Sequence, residues 1–497
     1  MFRKVLVANR GEIAVRVIRG LREMGIGSVA VYSDADRNSL AVRMADEAVR
    51  LGPAPSQESY LRIDRILEAA DMTGAEAIHP GYGFLSENDA FAAACEEAGV
   101  KFIGPSASAI RAVGSKTAAR QLAKAAGAPI VPGIEEPVSS IEEARRVARE
   151  IGYPVLLKAV AGGGGKGMRR VDREADLEAA LRDASSEAER SFRDAAVYIE
   201  KLVVEPRHIE IQVLGDEHGH IVHLGERECS LQRRHQKVIE ESPSPVMLRH
   251  PELREAMGEA ALKVARAAGY YNAGTCEFLV DSERNFYFLE MNTRLQVEHP
   301  VTELVTGLDL VEWQLRIAAG ERLTVQQSDV AWRGSAIECR VYAEDPSADF
   351  LPSPGRIESL REPSGPGIRL DSGVYAGMTV PMEYDPLLAK LAVWASSRER
   401  AIERMRRAIA EYRVGGIKTN LEFFARVLAD EDFRTGSFHT SYIADFFARA
   451  GRTVPPSDEE VAVARVIAAF HGTPAAPRPA QAGVSQWRST HHAEVLR

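Results

Sequence analysis

The sequence has 497 residues, of which 45% are hydrophobic and 27% charged, and this length predicts about three domains. The net charge of -9 argues against sequence-independent binding to nucleic acid, which requires a basic surface. Four isolated cysteines predict neither disulfides nor a zinc site, and no segment approaches the ~20 apolar residues of a membrane span. We therefore expect a soluble cytoplasmic protein that binds neither nucleic acid nor a membrane.

Apolar strands alternate with helical segments over the first hundred residues, and residues 13–24 form the first predicted helix. The predicted strands lie at residues 5–8, 29–32, 75–78 and 100–103. This rhythm is typical of an α/β fold in which helices cover a parallel sheet, so residues 1–114 are predicted to form a Rossmann-like domain. The first turn, Asn9-Arg10-Gly11-Glu12, lacks the Gly-x-Gly-x-x-Gly fingerprint. A dinucleotide cofactor is therefore not expected.

The remaining chain is predicted to form a second domain at 115–334, a third domain of mixed α and β structure at 335–447, and a partly disordered tail. Within the second domain, residues 131–202 form a small unit that could move as a lid. The predicted helices lie at 116–127, 141–151, 174–190, 398–411 and 461–470, and the strands at 154–159, 197–200 and 336–342. Residues 473–480 have the composition of a linker.

Four glycines precede Lys166-Gly167 and resemble a P-loop, but the spacing excludes one. A P-loop has Gly five residues before the Gly-Lys pair and Ser or Thr after the Lys, whereas Val160 and Gly167 occupy those places. The loop can still place backbone N–H groups against phosphate oxygens, and Lys158 adds a cation. The alternative is a flexible hairpin tip.

An apolar strand at residues 286–289 leads into Glu290 and Asn292, whose side chains leave on one face. A hairpin with a two-residue loop at 283–284 would place Glu277 directly opposite Glu290. Two close carboxylates repel each other unless a cation lies between them, and hard oxygen ligands favour Mg²⁺ or Mn²⁺. The alternative is an ordinary cross-strand surface pair. The polar positions that follow at every second residue are Arg294, Gln296 and Glu298.

Residues 226–237 form a dense run of charged and hydrogen-bonding side chains. Such runs are usually solvated faces. The alternative is an ordered loop that carries positive charge into a site.

Taken together, these segments resemble the ATP-grasp ligases and, within them, biotin carboxylase. The resemblance covers about residues 1–447. The matching stretches are VANRGEIA at 7–14, HPGYGFLSEN at 79–88, FIGP at 102–105, GSK at 114–116, the glycine loop at 162–168, QRRHQK at 232–237, EMNTRLQVEHP at 290–300, ECR at 338–340, FLPSPG at 350–355, YD at 384–385 and GIKTN at 416–420. In the family, Arg is common at the place of Lys166, and Gly at that of Ala161.

The resemblance implies an ATP-dependent ligase that phosphorylates bicarbonate to carboxyphosphate and then carboxylates biotin. It implies two Mg²⁺ or Mn²⁺ ions, held by Glu277, Glu290 and Asn292. The residues implied to contact the nucleotide are Lys116, Lys158, Gly163, Gly164, Gly165, Lys166, Gly167, Met168, Glu200, Lys201, Leu202, His208, Gln232 and His235. With the metal ligands, these form the cofactor-binding set.

For the reaction itself, the resemblance implies Arg294, Lys237 and the backbone of Val297 as contacts of bicarbonate. It implies Glu298 as the base that removes the proton of bicarbonate. Arg340 would stabilise the enolate-like oxygen of biotin. Gln296 and Tyr82 complete the implied substrate contacts.

The family reaction needs biotin on a separate carrier protein, since no biotin-accepting Lys between methionines is present. We expect a biotin carboxyl carrier protein and carboxyltransferase subunits as partners, and a homodimer. Acetyl-CoA carboxylase, in fatty acid synthesis, is the expected assembly. The alternatives are a propionyl-CoA, methylcrotonyl-CoA or pyruvate carboxylase, another ATP-grasp ligase, or a non-catalytic ATP-binding protein.

Overall fold

The computed structural model describes residues 1–134, 136–159, 168–192, 194–234, 236–451, 462–463 and 465–466. The chain divides into one compact unit at residues 1–450 and a second at 451–497. The predicted glycine loop at 162–167, His235 and the linker at 473–480 lie outside the described residues, as does most of the predicted helix at 461–470. Among the described residues, no helix has the length and apolarity needed to cross a membrane.

The first hundred residues form a five-stranded parallel sheet with the strand order β3-β2-β1-β4-β5. The predicted Rossmann-like α/β arrangement is thereby confirmed. Its elements are β1 (Lys4–Val7), α1 (Gly11–Glu23), β2 (Gly27–Ser33), α2 (Leu40–Met44), β3 (Glu47–Gly52), α3 (Ile63–Thr73), β4 (Ala77–His79), α4 (Asp89–Glu97), β5 (Lys101–Phe102) and α5 (Ala107–Val113). The side chains of β1 are almost entirely buried because a central parallel strand is covered on both faces.

The next segment contains a small antiparallel sheet with the order β7-β6-β8 and its own hydrophobic core. Its elements follow helix α6 (Lys116–Ala125) and are α7 (Ile141–Ile151), β6 (Val155–Ala159), β7 (Met168–Val171), α8 (Glu174–Phe192) and β8 (Val197–Lys201). Gly133 lies against β8, and a Cβ atom there would come within 2.7 Å of the Ile199 carbonyl oxygen. The close approach therefore requires glycine.

A second, eight-stranded sheet carries most of the charged residues singled out in the sequence. Its order is β13-β12-β9-β10-β11-β14-β21-β19. The elements up to residue 318 are β9 (Arg207–Gly215), β10 (Ile221–Arg233), β11 (Gln236–Ser242), α9 (Pro245–Arg249), α10 (Pro251–Ala267), β12 (Asn272–Val280), β13 (Phe286–Asn292), α11 (His299–Thr306) and α12 (Leu310–Ala318). The charged run at 226–237 is therefore neither a solvated face nor a loop, since it belongs mostly to the paired strands β10 and β11.

The same sheet continues past residue 334, because β11 pairs with β14 in antiparallel register. The remaining elements are β14 (Ser335–Tyr342), β15 (Glu344–Asp345), β16 (Leu351–Pro352), β17 (Gly355–Arg356), β18 (Ser359–Arg361), β19 (Ile368–Ser372), β20 (Thr379–Val380), β21 (Leu387–Ala395), α13 (Arg398–Glu411), β22 (Arg413–Gly415), α14 (Leu421–Val427), α15 (Glu431–Thr435) and α16 (Tyr442–Ala450). The predicted helix at 398–411 is confirmed as α13. Residues after 334 thus supply strands to the sheet that holds the earlier charged groups.

The first domain contacts this sheet through the start of α1. Gly373 lies so close that a Cβ atom there would be 2.6 Å from the backbone nitrogen of Glu12. The Glu12 carboxylate lies 3.2 Å from the ammonium of Lys390 on β21, and both side chains are buried. Burial raises the pKa of Glu12 to about 7, although Lys390 opposes the shift.

Replacing Glu12 with Gln should flatten the pH dependence of stability. A pKa raised from 4.5 to about 7 stabilises the folded protein fully below about pH 4.5, and this stabilisation is lost as the pH rises through about 7. The shift corresponds to at most about 3 kcal/mol. Thermal unfolding between pH 5 and about 8 should therefore show the melting temperature of the wild type falling relative to that of the E12Q variant. Parallel curves would contradict the prediction.

Candidate active site

The hairpin of β12 and β13 places Glu277 opposite Glu290, as predicted, but its loop is longer than predicted and it contains a bulge. The loop spans residues 281–285 rather than two residues, and this alone would shift the register by one. A bulge next to Glu277 restores the pairing because Leu289 is the extra residue. The Glu277 side chain is only 8% exposed, so the alternative of an ordinary surface pair is wrong.

The ammonium of Lys237 lies at the centre of the charged cluster. It contacts carboxylate oxygens of Glu210 at 2.5 Å, Glu277 at 2.7 Å and Glu298 at 2.8 Å. These partners come from β9, β12 and the residue before α11, so one cation joins three separate segments. Charge-assisted hydrogen bonds of this kind hold their groups in fixed positions.

The cations determine the protonation of the neighbouring carboxyl groups. Burial by itself raises the pKa of Glu298, but Lys237, Arg340 and Arg227 outweigh it and hold the pKa well below its usual range. Burial also raises the pKa of Glu277, but Lys237 and His208 outweigh burial and lower it. Both groups are carboxylates near neutral pH.

Arg340 reaches the cluster from β14. One guanidinium nitrogen, Nη2, donates to Glu298 at 2.8 Å, and Nε donates to Glu240 at 2.6 Å. Glu240 is fully buried, and burial raises its pKa to about 7 against the effect of Arg340. The Glu298 carboxylate is thus held between Lys237 on one oxygen and Arg340 on the other.

Arg294 lies beside this group in the segment that follows β13. Its guanidinium donates to Glu87 at 2.8 Å, to Gln296 Oε1 at 2.7 Å and to Asn292 Oδ1 at 3.0 Å. The segment from Arg294 to Glu298 is a turn rather than a strand. The predicted convergence of these polar groups is present, although strand alternation does not produce it.

Several residues predicted to contact a nucleotide lie beside the charged cluster of the eight-stranded sheet, and others lie on the small antiparallel sheet. The Lys116 ammonium is 3.4 Å from Glu290, and His208 Nε2 is 3.0 Å from Glu277. Lys158 pairs with Glu200. The Lys116 side chain is 84% exposed, so its charge faces solvent, where an anionic ligand can reach it.

Glu277, Glu290 and Asn292 present hard oxygen donors, which fit the oxygen preference of Mg²⁺ and Mn²⁺. Asn292 donates its amide nitrogen to Glu277 at 3.0 Å and directs its oxygen to Arg294. His208, Glu210 and Glu277 also bring ligand atoms within 4.8 Å of one another. The donor chemistry therefore fits a divalent cation at this edge of the sheet.

Other predicted nucleotide contacts have local partners in the structure. Lys201 donates to the carbonyls of Gly152 and Tyr153, and Gln232 donates to the Cys229 carbonyl at 2.9 Å. Met168 is the first residue of β7, and Leu202 follows the last residue of β8. Gly163, Gly164, Gly165, Lys166, Gly167 and His235 are outside the described residues.

Tyr82 and Val297, both predicted to contact substrate, lie near Lys390 of β21. The buried Tyr82 hydroxyl has no hydrogen-bond partner among the described residues. The Val297 carbonyl accepts from Lys390 at 3.0 Å. A free hydroxyl is a group that a ligand can satisfy.

Sequence reasoning missed Glu210 and Arg227. Arg227 is fully buried and bonds Glu210, Gln212, Thr275 and Thr302, so it anchors the carboxylate that faces Lys237. A signal was available, because His208, Glu210 and Gln212 occupy alternate positions in β9, with the apolar Ile209 and Ile211 between them. Polar alternation inside a buried strand indicates a charged site rather than a solvent face.

Three family models match this chain in order. The biotin carboxylase N-terminal domain matches residues 1–110, and the ATP-binding domain of the carbamoyl-phosphate synthase L chain matches residues 115–326. The biotin carboxylase C-terminal domain matches residues 338–445.

Curated relatives are similar over most of the chain. One of the pyruvate carboxylase subunits of Methanothermobacter thermautotrophicus is 56% identical over 447 residues, which cover 90% of each chain. Biotin carboxylase 1 of Bacillus subtilis is 51% identical over 90% of this chain and 99% of its own.

Solved structures agree in fold. The biotin carboxylase domain of a thermophilic 2-oxoglutarate carboxylase bound to bicarbonate has a TM-score of 0.86 at 48% identity, over 90% of this chain and 98% of that one. The corresponding domain dimer from Hydrogenobacter thermophilus, in complex with MgADP, ADP and bicarbonate, has a TM-score of 0.81 at 49% identity, with the same coverage.

Proposed function

This chain belongs to the biotin carboxylase family and is an ATP-dependent ligase, and from this premise we propose how its residues carboxylate biotin with bicarbonate. The observation that carries the proposal is the Glu298 carboxylate, fully buried between Lys237 and Arg340 at 2.8 Å each. A buried carboxylate with two cationic partners can accept a proton and hold an anion beside it. The bicarbonate in a similar solved structure supports this assignment.

Bicarbonate is a small planar anion, and Arg294 offers it a planar fork of N–H donors. The fork is already oriented by Glu87, Gln296 and Asn292. Gln296 thus sets the direction of Arg294. The Val297 N–H, which has no partner among the described residues, adds a further donor. These contacts would hold the anion next to Glu298.

Glu298 would remove the proton of bicarbonate, so that the freed oxygen attacks the γ-phosphorus of ATP, the bond to the β-phosphate oxygen breaks, and carboxyphosphate and ADP form. In the ligand-free protein, burial raises the pKa of Glu298, but Lys237, Arg340 and Arg227 outweigh burial and hold the pKa well below its usual range. When Lys237 turns to a substrate anion, Glu298 loses one of these cations and its pKa rises. The carboxylate then becomes a stronger base when substrate is present.

The nucleotide would lie between the eight-stranded sheet and the small antiparallel sheet, and Lys116, Lys158 and His208 would face its phosphates. Glu277, Glu290 and Asn292 would hold Mg²⁺ or Mn²⁺. Such a cation, when bound, neutralises phosphate charge during transfer. The glycine loop at 162–167 is proposed to cover the phosphates. The structure with MgADP supports this part of the proposal.

Carboxyphosphate would then break down to CO₂ and phosphate, a phosphate oxygen would accept the proton of the biotin ureido nitrogen, and that nitrogen would attack CO₂. Arg340 would stabilise the enolate-like oxygen as that nitrogen loses its proton, and Tyr82 would offer its free hydroxyl. A separate biotinylated carrier protein and a carboxyltransferase are the proposed partners, with a homodimer as the assembly. Four free, buried cysteines support a reducing, cytoplasmic compartment.

We propose acetyl-CoA carboxylase, in fatty acid synthesis, as the parent complex. The second candidate is a pyruvate carboxylase, which the 56% identity to a relative of that name favours. Relatives named for methylcrotonoyl-CoA and propionyl-CoA carboxylation are similar to this chain at 51% and 50% identity. Purification from native extract, followed by identification of the copurifying carboxyltransferase, separates these assemblies.

The purified protein should hydrolyse ATP only when bicarbonate is present, and free biotin should increase the rate. Phosphate release is measured in the presence of Mg²⁺ under two conditions. One reaction contains bicarbonate, and in the other bicarbonate has been depleted by degassing. Transfer of labelled carbon from bicarbonate to biotin gives the direct product. A rate of ATP hydrolysis that does not depend on bicarbonate would exclude biotin carboxylation.

A further inference from the structure

Lys390 is a fully buried lysine in β21, and the roles given above do not include it. It lies directly opposite Arg340 in the antiparallel pair of β14 and β21. Residues that face each other in this way send their side chains to the same face of the sheet. Lys390 therefore points to the side on which Glu298 lies.

The Lys390 ammonium joins three parts of the chain. It donates to the Val297 carbonyl at 3.0 Å, lies 3.2 Å from Glu12 of the first domain and lies 3.8 Å from Asp371 of β19. The Tyr82 ring lies 5.7 Å away. Its one well-formed hydrogen bond is therefore to the residue that precedes Glu298.

The contacts of Lys390 contribute little to the stability of the folded protein by themselves. Glu12 makes no aligned hydrogen bond to Lys390, and burial raises the Glu12 pKa to about 7, so its charge is only partly present near neutrality. Asp371 is shared with Arg369, which holds it at 2.8 Å. A buried cation whose nearest fully charged partner lies 3.8 Å away and is already paired with Arg369 usually contributes less than an apolar side chain of the same size.

The turn that receives the hydrogen bond forms part of the proposed bicarbonate site. Anchoring the Val297 carbonyl fixes the peptide that joins it to Glu298. The Val297 N–H is left free among the described residues. Lys390 can therefore orient two groups. One is the Val297 N–H, a donor for bicarbonate, and the other is the backbone of Glu298, the proposed base.

We propose that Lys390 is a positioning residue, which orients Val297 and Glu298 toward bicarbonate from the third domain. The proposal rests on the proposed function of the site. Gly373 supports it, because the backbone of the first domain lies directly against the loop after β19 and keeps Glu12 beside Lys390. The start of α1 thereby closes the buried space in which the ammonium lies.

The test replaces Lys390 with Met, which keeps the length but removes the donor. We expect kcat/KM for bicarbonate to fall about 30- to 100-fold, since a displacement of about 1 Å at a reacting group can cost 10²-fold. The KM for ATP should change less than about threefold, because the lysine contacts no residue proposed to hold the nucleotide. Bicarbonate-dependent phosphate release measures both constants.

Arg398 offers a matched control on the other face of the sheet. It is a buried cation that pairs with Glu241 at 2.6 Å and donates to two backbone carbonyls. The R398M variant should lose thermal stability without a selective loss of bicarbonate kinetics. A K390M variant that loses only stability, as R398M does, would overturn the proposal.

The K390M/E12Q double variant keeps the test decisive if the single variant does not fold, because it removes the facing carboxylate as well. E12Q alone retains the lysine and its bond to Val297, so its bicarbonate kcat/KM should stay within about threefold of the wild type. The double variant should show the same bicarbonate defect as K390M. Bicarbonate kinetics like those of the wild type in the double variant would overturn the proposal.

A wild-type protein without bicarbonate-dependent activity would contradict the proposed function, and this inference with it.

Discussion

Replacing Glu298 with Gln should lower biotin carboxylation by about 10²- to 10⁴-fold, the range that a positioned general base contributes. The amide keeps the size of the side chain but cannot accept the proton of bicarbonate. Lys237 keeps Glu210 and Glu277 as partners, and Arg340 keeps Glu240, so the fold should tolerate the change. The measurement is the transfer of labelled carbon to free biotin.

ATP affinity separates a lost base from a damaged site. The affinity of E298Q for ATP, measured by titration calorimetry, should stay within about threefold of the wild type, because Glu298 is not among the residues proposed to hold the nucleotide. Glu303 gives a matched control, since it is a buried glutamate paired with Arg16 and Arg369 in the helix that follows. The E303Q variant should keep its turnover. Near-normal turnover of E298Q would remove Glu298 from the mechanism.

Replacing Arg340 with Gln should lower biotin carboxylation by about 10²- to 10³-fold, the usual loss when one donor to a developing oxyanion is removed. It should also move the acidic limb of the pH profile of kcat/KM to higher pH. Arg340 is one of the cations that hold the pKa of Glu298 low against the effect of burial. Without it, Glu298 retains its proton to a higher pH.

The control for Arg340 is Arg398, because the carboxylate partners of the two arginines are adjacent in β11. Glu240 and Glu241 are neighbours in β11, so their side chains leave on opposite faces, toward Arg340 and Arg398 respectively. R398Q breaks a comparable buried pair, at a cost of about 3 to 5 kcal/mol, but should leave the pH profile unchanged. An unchanged profile in R340Q as well would contradict the electrostatic role of Arg340.

Local pattern identified some of the residues that meet at the site, such as Glu277 and Glu290, though not always for the right reason. A two-residue loop predicts the pairing of Glu277 with Glu290, whereas a five-residue loop and a bulge at Leu289 produce it. Loop length and bulges depend on backbone geometry that the residue types specify only weakly. Two errors of one residue cancel, and the predicted register is right.

The run from Arg294 to Glu298 gives a second case. Alternate polar residues suggest a continuing strand, but β13 ends at Asn292 and the chain turns into α11. The side chains still converge because Lys237 and Arg340 bind Glu298 from other strands, while Arg294 donates to Gln296 within the run. Polar spacing therefore identified the participants, while their positions follow from partners that the spacing does not reveal.

The contacts of Glu240, Glu338 and Lys390 could not be predicted from the sequence. Glu240 and Glu338 face each other because β11 and β14 are neighbours in the sheet, although nearly a hundred residues separate them in the chain. Burial raises the pKa of Glu338 well above its usual range, and neither of its oxygens has a hydrogen-bond partner among the described residues. Strand order sets such encounters, and no local periodicity records it.

The sequence by itself determined the family, the parallel α/β character of the first domain and the identity of the charged groups, because motifs and periodicity are local properties of the chain. The tertiary structure alone decided that Arg340 and Lys390, on adjacent strands after residue 334, reach Glu298 and the residue before it. Side-chain direction follows from each strand, but proximity follows from which strands pair. That pairing is a free-energy minimum of the whole chain, in which distant segments bury their surfaces together.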